Sequence, residues 1–296
     1  MQRRARGFFA VVAAVLVATI AFAGGVAAGR SSAQERGDTT APGEGAAAAP
    51  STSLPGPPTN NPHVIIYGDS LVTQAEPYLH AVSPALGLEV EARALGGTAP
   101  CDFLQPLQDD LDAHKVDLVV WAFSGNSIGS CMDGADGKPI GGEALFDKYR
   151  ADTEKAIDAA DAAGVPFVLA SPPAPHLPGD VWEQLDTVYR SLAGAHPTIQ
   201  YADAGVAISP EGKFVDTQRC LPFEQRIPQA RDACAADGTI IVRGSDGHFC
   251  PAPSTTSLDC KTYSSGAMRY AINLLQAARI ELDYQAQIAA GAIPPP

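Results

Sequence analysis

Short runs of apolar and β-branched residues recur along this chain with helical segments between them, and that alternation constrains the fold more than any other feature. The first run, Val64-Ile65-Ile66-Tyr67, ends in Gly68. Others follow at Leu88 to Ala94, Val116 to Phe123, Val165 to Ala170 and Ile199 to Ala202. Helical content lies between them in Gln105 to His114, Ala144 to Ala163 and Asp180 to Ala195. Near the end Met268, Ala271, Ile272, Leu275 and Leu282 repeat at helical spacing, with Arg269, Arg279, Glu281 and Asp283 at the polar positions between them. Strands alternating with helices of this length predict a parallel sheet with helices on both faces. Runs as continuous as Leu118-Val119-Val120-Trp121 suit a strand buried on both sides. In such a fold ligands bind at the carboxyl ends of the strands.

The remainder of the chain is unlike this. Arg3, Arg4 and Arg6 precede an uncharged stretch from Gly7 to Gly29, the pattern of an export signal. Ala21-Phe22-Ala23 and Ser31-Ser32-Ala33 both suit a signal peptidase, and the apolar run is also long enough to stay as a single membrane anchor. Residues 1–29 are therefore read as signal peptide or signal anchor, and 30–62, rich in Ala, Pro and Gly, as a disordered linker. Residues 63–290 form the expected domain and 291–296 a tail. The net charge of -13 argues against a nucleic-acid partner, which would need Lys and Arg to neutralise phosphates. Six cysteines in an exported chain predict disulfides. Several connectivities are open; pairing of near neighbours is expected, Cys101 with Cys131, Cys220 with Cys234 and Cys250 with Cys260, because all six sit in loop-like surroundings. No Cys-x-x-Cys or His-x-x-x-His pair is present to chelate zinc, so no metal is expected. Asp133-Gly134-Ala135-Asp136-Gly137 lacks the further oxygen ligands of a calcium loop and reads as a surface turn.

The chemistry should then lie in the loops after the strands. Gly68-Asp69-Ser70 would set a hydroxyl at the sheet edge and the start of a helix, where a nucleophile gains most from backbone N–H groups. A helix N-cap would look the same. Position 72 is Val72, so this is not a Gly-x-Ser-x-Gly elbow. Leu95-Gly96-Gly97-Thr98 lets the backbone approach a ligand, or is a plain turn. Ser124-Gly125-Asn126 brings an amide that could donate to an oxyanion, although Asn is also a turn former. Thr239 to Arg243 reads as a short strand leading into Gly244-Ser245-Asp246-Gly247-His248, a histidine with a nearby carboxylate, as a serine nucleophile requires. His176 follows the fourth strand and could approach substrate.

Serine, glycine, asparagine and histidine thus follow one another on successive strand exits. That order, with Tyr67-Gly68-Asp69-Ser70 and Asp246-Gly247-His248-Phe249 as its strongest blocks, resembles the SGNH or GDSL hydrolase family. The resemblance spans His63 to Ala278 and is nearest to a cysteine-bearing exported branch. It implies a flavodoxin-like three-layer α/β/α sandwich around a five-stranded parallel sheet. It also implies Ser70 as nucleophile, His248 as base, and an oxyanion hole from the Ser70 N–H, Gly96 or Gly97 (Gly96 preferred) and Asn126. No cofactor is implied. The substrates implied are small acyl esters, or acyl esters on envelope glycan or lipid, with either water or a sugar hydroxyl as acceptor. A non-catalytic glycan-binding domain is the distant alternative. Two departures stand out: Ser124 and Ser127 replace the ends of the family's Gly-x-Asn-Asp block, and Asp246 lies two residues before His248 where the family spacing is three, with Ser245 in the expected place. Either Asp246 or a backbone carbonyl would then orient the imidazole.

Overall fold

The computed structural model describes residues 61–176, 181–250, 260 and 263–296. Most of the predicted leader and linker, residues 1–60, lies outside the described residues.

Five strands, β1 (His63–Gly68), β2 (Glu89–Ala94), β3 (Leu118–Ala122), β4 (Phe167–Ala170) and β5 (Ile199–Ala202), form one sheet in the order β2-β1-β3-β4-β5. Every pairing in it is parallel. This is the flavodoxin-like order, in which the chain winds first to one side of β1 and then to the other. Alternate residues of each strand serve opposite faces. Val64 and Ile66 face helices α1 (Ser70–Val82) and α6 (Ser265–Ala289), while Ile65 and Tyr67 face α2 (Leu104–Asp112), α3 (Glu143–Ala163) and α4 (Val181–Ala195). Both faces are covered, which is why the central strands read as unbroken apolar runs. Leu118 through Ala122 are all buried.

Helix ends follow local chemistry. Gly164, with φ +67°, closes α3 in the left-handed conformation. In α1, Leu71, Val72, Ala75, Tyr78, Leu79 and Val82 make the buried stripe. At the sheet edge β1 turns straight into α1. A Cβ on Gly68 would stand 2.2 Å from the Val72 side chain and 2.8 Å from the Ala122 carbonyl oxygen, so this tight exit requires glycine.

The short strand expected at Thr239 to Arg243 does not join the main sheet. Thr239–Ile241 (β7) pairs antiparallel with Thr217–Arg219 (β6) in a separate two-stranded sheet, so His248 leaves a small accessory hairpin rather than a sixth parallel strand. Cys220–Cys234 spans the connection between them, which includes the short α5 (Pro228–Ala233). The polar positions of α6 also differ from expectation. Arg269 and Glu281 are buried, and Arg269 donates from Nη2 to Glu224 Oε2 at 2.7 Å. Arg269 also reaches Gln218 and the Arg219 carbonyl, which fastens the accessory sheet to α6. Disulfides join Cys101 to Cys131, Cys220 to Cys234 and Cys250 to Cys260, the near-neighbour pairing.

Candidate active site

Asp69 caps α1, its Oδ1 accepting from the Leu71 N–H at 3.0 Å, and Ser70 is the first residue of the helix. The N-cap reading of Gly-Asp-Ser is therefore correct for Asp69, and it leaves the Ser70 hydroxyl free for another partner. That partner is His248, whose Nε2 lies 3.0 Å from Ser70 Oγ. One turn further along α1, Gln74 Oε1 accepts from the Phe249 N–H at 2.6 Å. Ser70 and Gln74 share a helix face, so together they dock the histidine loop against α1.

The loop itself is tightly folded. Gly247, with φ +87°, takes a conformation that an L side chain would strain. Its N–H donates to the Gly244 carbonyl at 2.9 Å, and Gly244 N–H donates to the His248 carbonyl at 2.6 Å. Asp246 Oδ1 accepts from the His248 N–H at 3.1 Å. Its other oxygen, Oδ2, approaches His248 Nδ1 to 3.3 Å, but at an angle that makes no hydrogen bond. Among the described residues Nδ1 has no well-aligned acceptor, neither Asp246 nor a backbone carbonyl. The two-residue spacing thus brings the carboxylate beside the imidazole without aiming it along the N–H.

Asp69 does more than cap a helix. It is fully buried, and its Oδ2 accepts from Ser124 N at 2.8 Å, Ser124 Oγ at 2.5 Å and Asn126 Nδ2 at 3.1 Å. One carboxylate therefore ties the exit of β1 to the exit of β3 and fixes the Asn126 amide, whose second N–H remains to serve a ligand. Burial pushes the Asp69 pKa above the ordinary carboxylate value; the bonds from Ser124 and Leu71 and the nearby His248 pull the other way. Tyr149 of α3 donates to the Asn126 carbonyl at 2.9 Å and completes the clamp.

Ser70, Asn126, Asp246 and His248 share the wall of one open cavity of about 500 Å³, together with His176 and Arg243. Gly96 and Gly97 are not on that wall. Their loop lies against the base of the site, with Thr98 Oγ1 donating to the Gly68 carbonyl at 3.4 Å, and Cys101–Cys131 joins it to the loop after β3. Cys101, Cys131 and Asp102 form a compact group, but both sulfurs are committed to the disulfide.

Sequence reasoning missed three residues here. Ser124 reads as a departure from a motif, yet its hydroxyl is a partner of Asp69. Gln74 is an unremarkable polar residue in a helix. Arg243 ends a strand-like segment, and nothing in its neighbours marks it as buried. No protein-family model and no curated protein matches the chain. Among solved structures, it is similar to a lipase/acylhydrolase from Enterococcus faecalis (19% identity, 75% of this chain and 96% of that one, TM-score 0.41). It is also similar to the C-terminal catalytic domain of a peptidoglycan O-acetyltransferase from Streptococcus pneumoniae (16% identity, 76% and 96%, TM-score 0.45). A third is a catalytic mutant of an acetylxylan esterase from Geobacillus stearothermophilus (15% identity, 74% and 94%, TM-score 0.45). These likenesses are faint.

Proposed function

We propose that this chain transfers an acyl group from an ester, first to Ser70 and then to water or a sugar hydroxyl. The observation that carries the proposal is the 3.0 Å approach of His248 Nε2 to Ser70 Oγ at the N-terminus of a helix, on the wall of an open cavity. His248 takes the hydroxyl proton as Ser70 Oγ attacks the ester carbonyl, and returns that proton to the departing alcohol oxygen. The Ser70 N–H and Asn126 Nδ2 stabilise the tetrahedral oxyanion, with Gly96 as a third donor once substrate draws its loop in. The acceptor then attacks the acyl-enzyme by the reverse of the same proton movements. Asp246, beside Nδ1 but off the N–H axis, steadies the charged imidazole through its nearby carboxylate.

The site acts outside the cytoplasm in this reading, on envelope glycan or lipid esters. An N-terminal basic and apolar pattern and three disulfides support that location. The test is hydrolysis of 4-nitrophenyl acetate by the full chain, with and without glycan acceptors. Release of nitrophenol that disappears in His248→Ala supports the proposal, and acetylated glycan among the products identifies a transferase. An absence of both hydrolysis and transfer would favour a glycan-binding domain instead.

A further inference from the structure

Arg243, just beyond β7, is 3% exposed and yet reaches the wall of the cavity that holds Ser70 and His248. Its Nε donates to the Gly247 carbonyl at 2.7 Å, and its Nη1 to the Ala174 carbonyl and, at 3.3 Å, to Ser209 Oγ. All three acceptors are neutral. No ion pair to Arg243 forms among the described residues, and none of them accepts from its Nη2. That nitrogen lies against Gly247, where a Cβ would be only 3.2 Å away, and both residues line the cavity. Burial lowers the pKa of this side chain to about 10, against the pull of Tyr270, Asp246 and Asp69, so it stays cationic at neutral pH, and the Phe214 ring lies 5.0 Å from its Cζ. Buried cations are normally paired, because desolvating an unpaired charge is costly. A guanidinium with a free N–H at a ligand cavity matches the fork geometry of a carboxylate or phosphate.

We infer that Arg243 binds an anionic oxygen group, carboxylate or phosphate, on the alcohol portion of the ester. The side follows from the proton path. His248 Nε2 must reach the departing alcohol oxygen, so that portion lies toward the histidine loop, and Arg243 is bonded to Gly247 in that loop. With a net charge of -13, the chain offers such a substrate little general attraction, so a local cation has to hold it.

This inference rests on the acyl-transfer reading, and the experiment separates the two. Acetate release by the full chain is compared for O-acetylated methyl glucoside, methyl glucuronoside and methyl glucoside 6-phosphate. At least one anionic ester should be preferred over the neutral one by about 10- to 100-fold in kcat/KM. The uronate and phosphate arms identify the group. Arg243→Gln should bring the ratio close to one, and Arg243→Lys should recover part of the preference. Because Arg243 also holds two carbonyls, the unaltered protein supplies a second measurement. Methyl glucuronoside or inorganic phosphate should inhibit 4-nitrophenyl acetate hydrolysis competitively, and methyl glucoside should not. Equal rates on all three esters without anion inhibition would overturn the inference and leave the hydrolase standing. Failure to cleave any ester, nitrophenyl acetate included, would overturn the acyl-transfer reading and this inference with it.

Discussion

Replacing Asp69 by Ala and by Asn separates the two tasks this carboxylate performs. Asp69→Ala removes the acceptor of four hydrogen bonds, from Leu71 N, Ser124 N, Ser124 Oγ and Asn126 Nδ2. Ser124 Oγ can turn elsewhere, but three donors remain unmatched at about 1–3 kcal/mol each, so a loss of at least ~3 kcal/mol is expected. Asp69→Asn can keep its oxygen where Oδ2 sits and hold Ser124 and Asn126. Its amide nitrogen then faces the Leu71 N–H, which forfeits the N-cap at about 1 kcal/mol. Against this, the variant no longer buries a charge. The folded-state pKa of Asp69 is raised above the 3.8 of an ordinary aspartate, so between those values the native state holds the extra proton and stability falls as pH rises. Below 3.8 that penalty is absent, and above the raised pKa it is fully present. Asp69→Asn should therefore stay within about 2 kcal/mol of the parent at pH 7 and compare less favourably with it as the pH falls through the same window. Urea unfolding across pH measures both variants. Equal midpoints for the two at pH 7 would refute the clamp that joins β1 to β3.

Three further outcomes follow from the site. Asn126→Ala should lower kcat for 4-nitrophenyl acetate by about 100- to 1000-fold with KM little changed, the effect of losing one oxyanion donor. Asp246→Ala should cost about 10- to 100-fold, well short of the ~10⁴ of an aligned triad carboxylate, because Asp246 is 47% exposed in its side chain and lies off the Nδ1–H axis. A loss near 10⁴ in steady-state turnover would show that substrate brings it fully into line. Removing the Cys101–Cys131 bridge, whose partners are 30 residues apart, should lower stability by about 3–4 kcal/mol in urea unfolding and loosen the loops after β2 and β3 together.

The sheet was legible because burial on both faces writes itself into the strands as runs such as Leu118 to Ala122, and α6 because Met268, Ala271, Ile272 and Leu275 repeat at helical spacing. The meeting of Ser70 with Asn126 was legible because their strand exits share one sheet edge, whereas His248 arrives from the accessory sheet. The accessory sheet was not: Thr217-Gln218-Arg219 is three residues long and polar, and its partner reads as one more strand of a series. Arg269 and Glu224 were equally hidden. Charged residues between apolar helix positions imply solvent, and only the folded chain brings together two residues 45 apart. Asp69 illustrates a subtler limit. The N-cap and nucleophile readings of Gly-Asp-Ser compete in the sequence, and in the structure Asp69 is the cap while the Ser70 hydroxyl meets His248. For Asp246, spacing set the distance to the imidazole but not the angle, which depends on the path of the Gly244–His248 loop. Arg243 was invisible for the same reason, since its acceptors Ala174, Ser209 and Gly247 come from three separate segments.

The central claim is that Ser70, activated by His248, is the nucleophile, and covalent labelling by a fluorophosphonate tests it most directly. The full chain should take up one equivalent of label at Ser70, slowly or not at all in His248→Ala and not at all in Ser70→Ala. Labelling of Ser70→Ala equal to that of the parent would contradict the assignment.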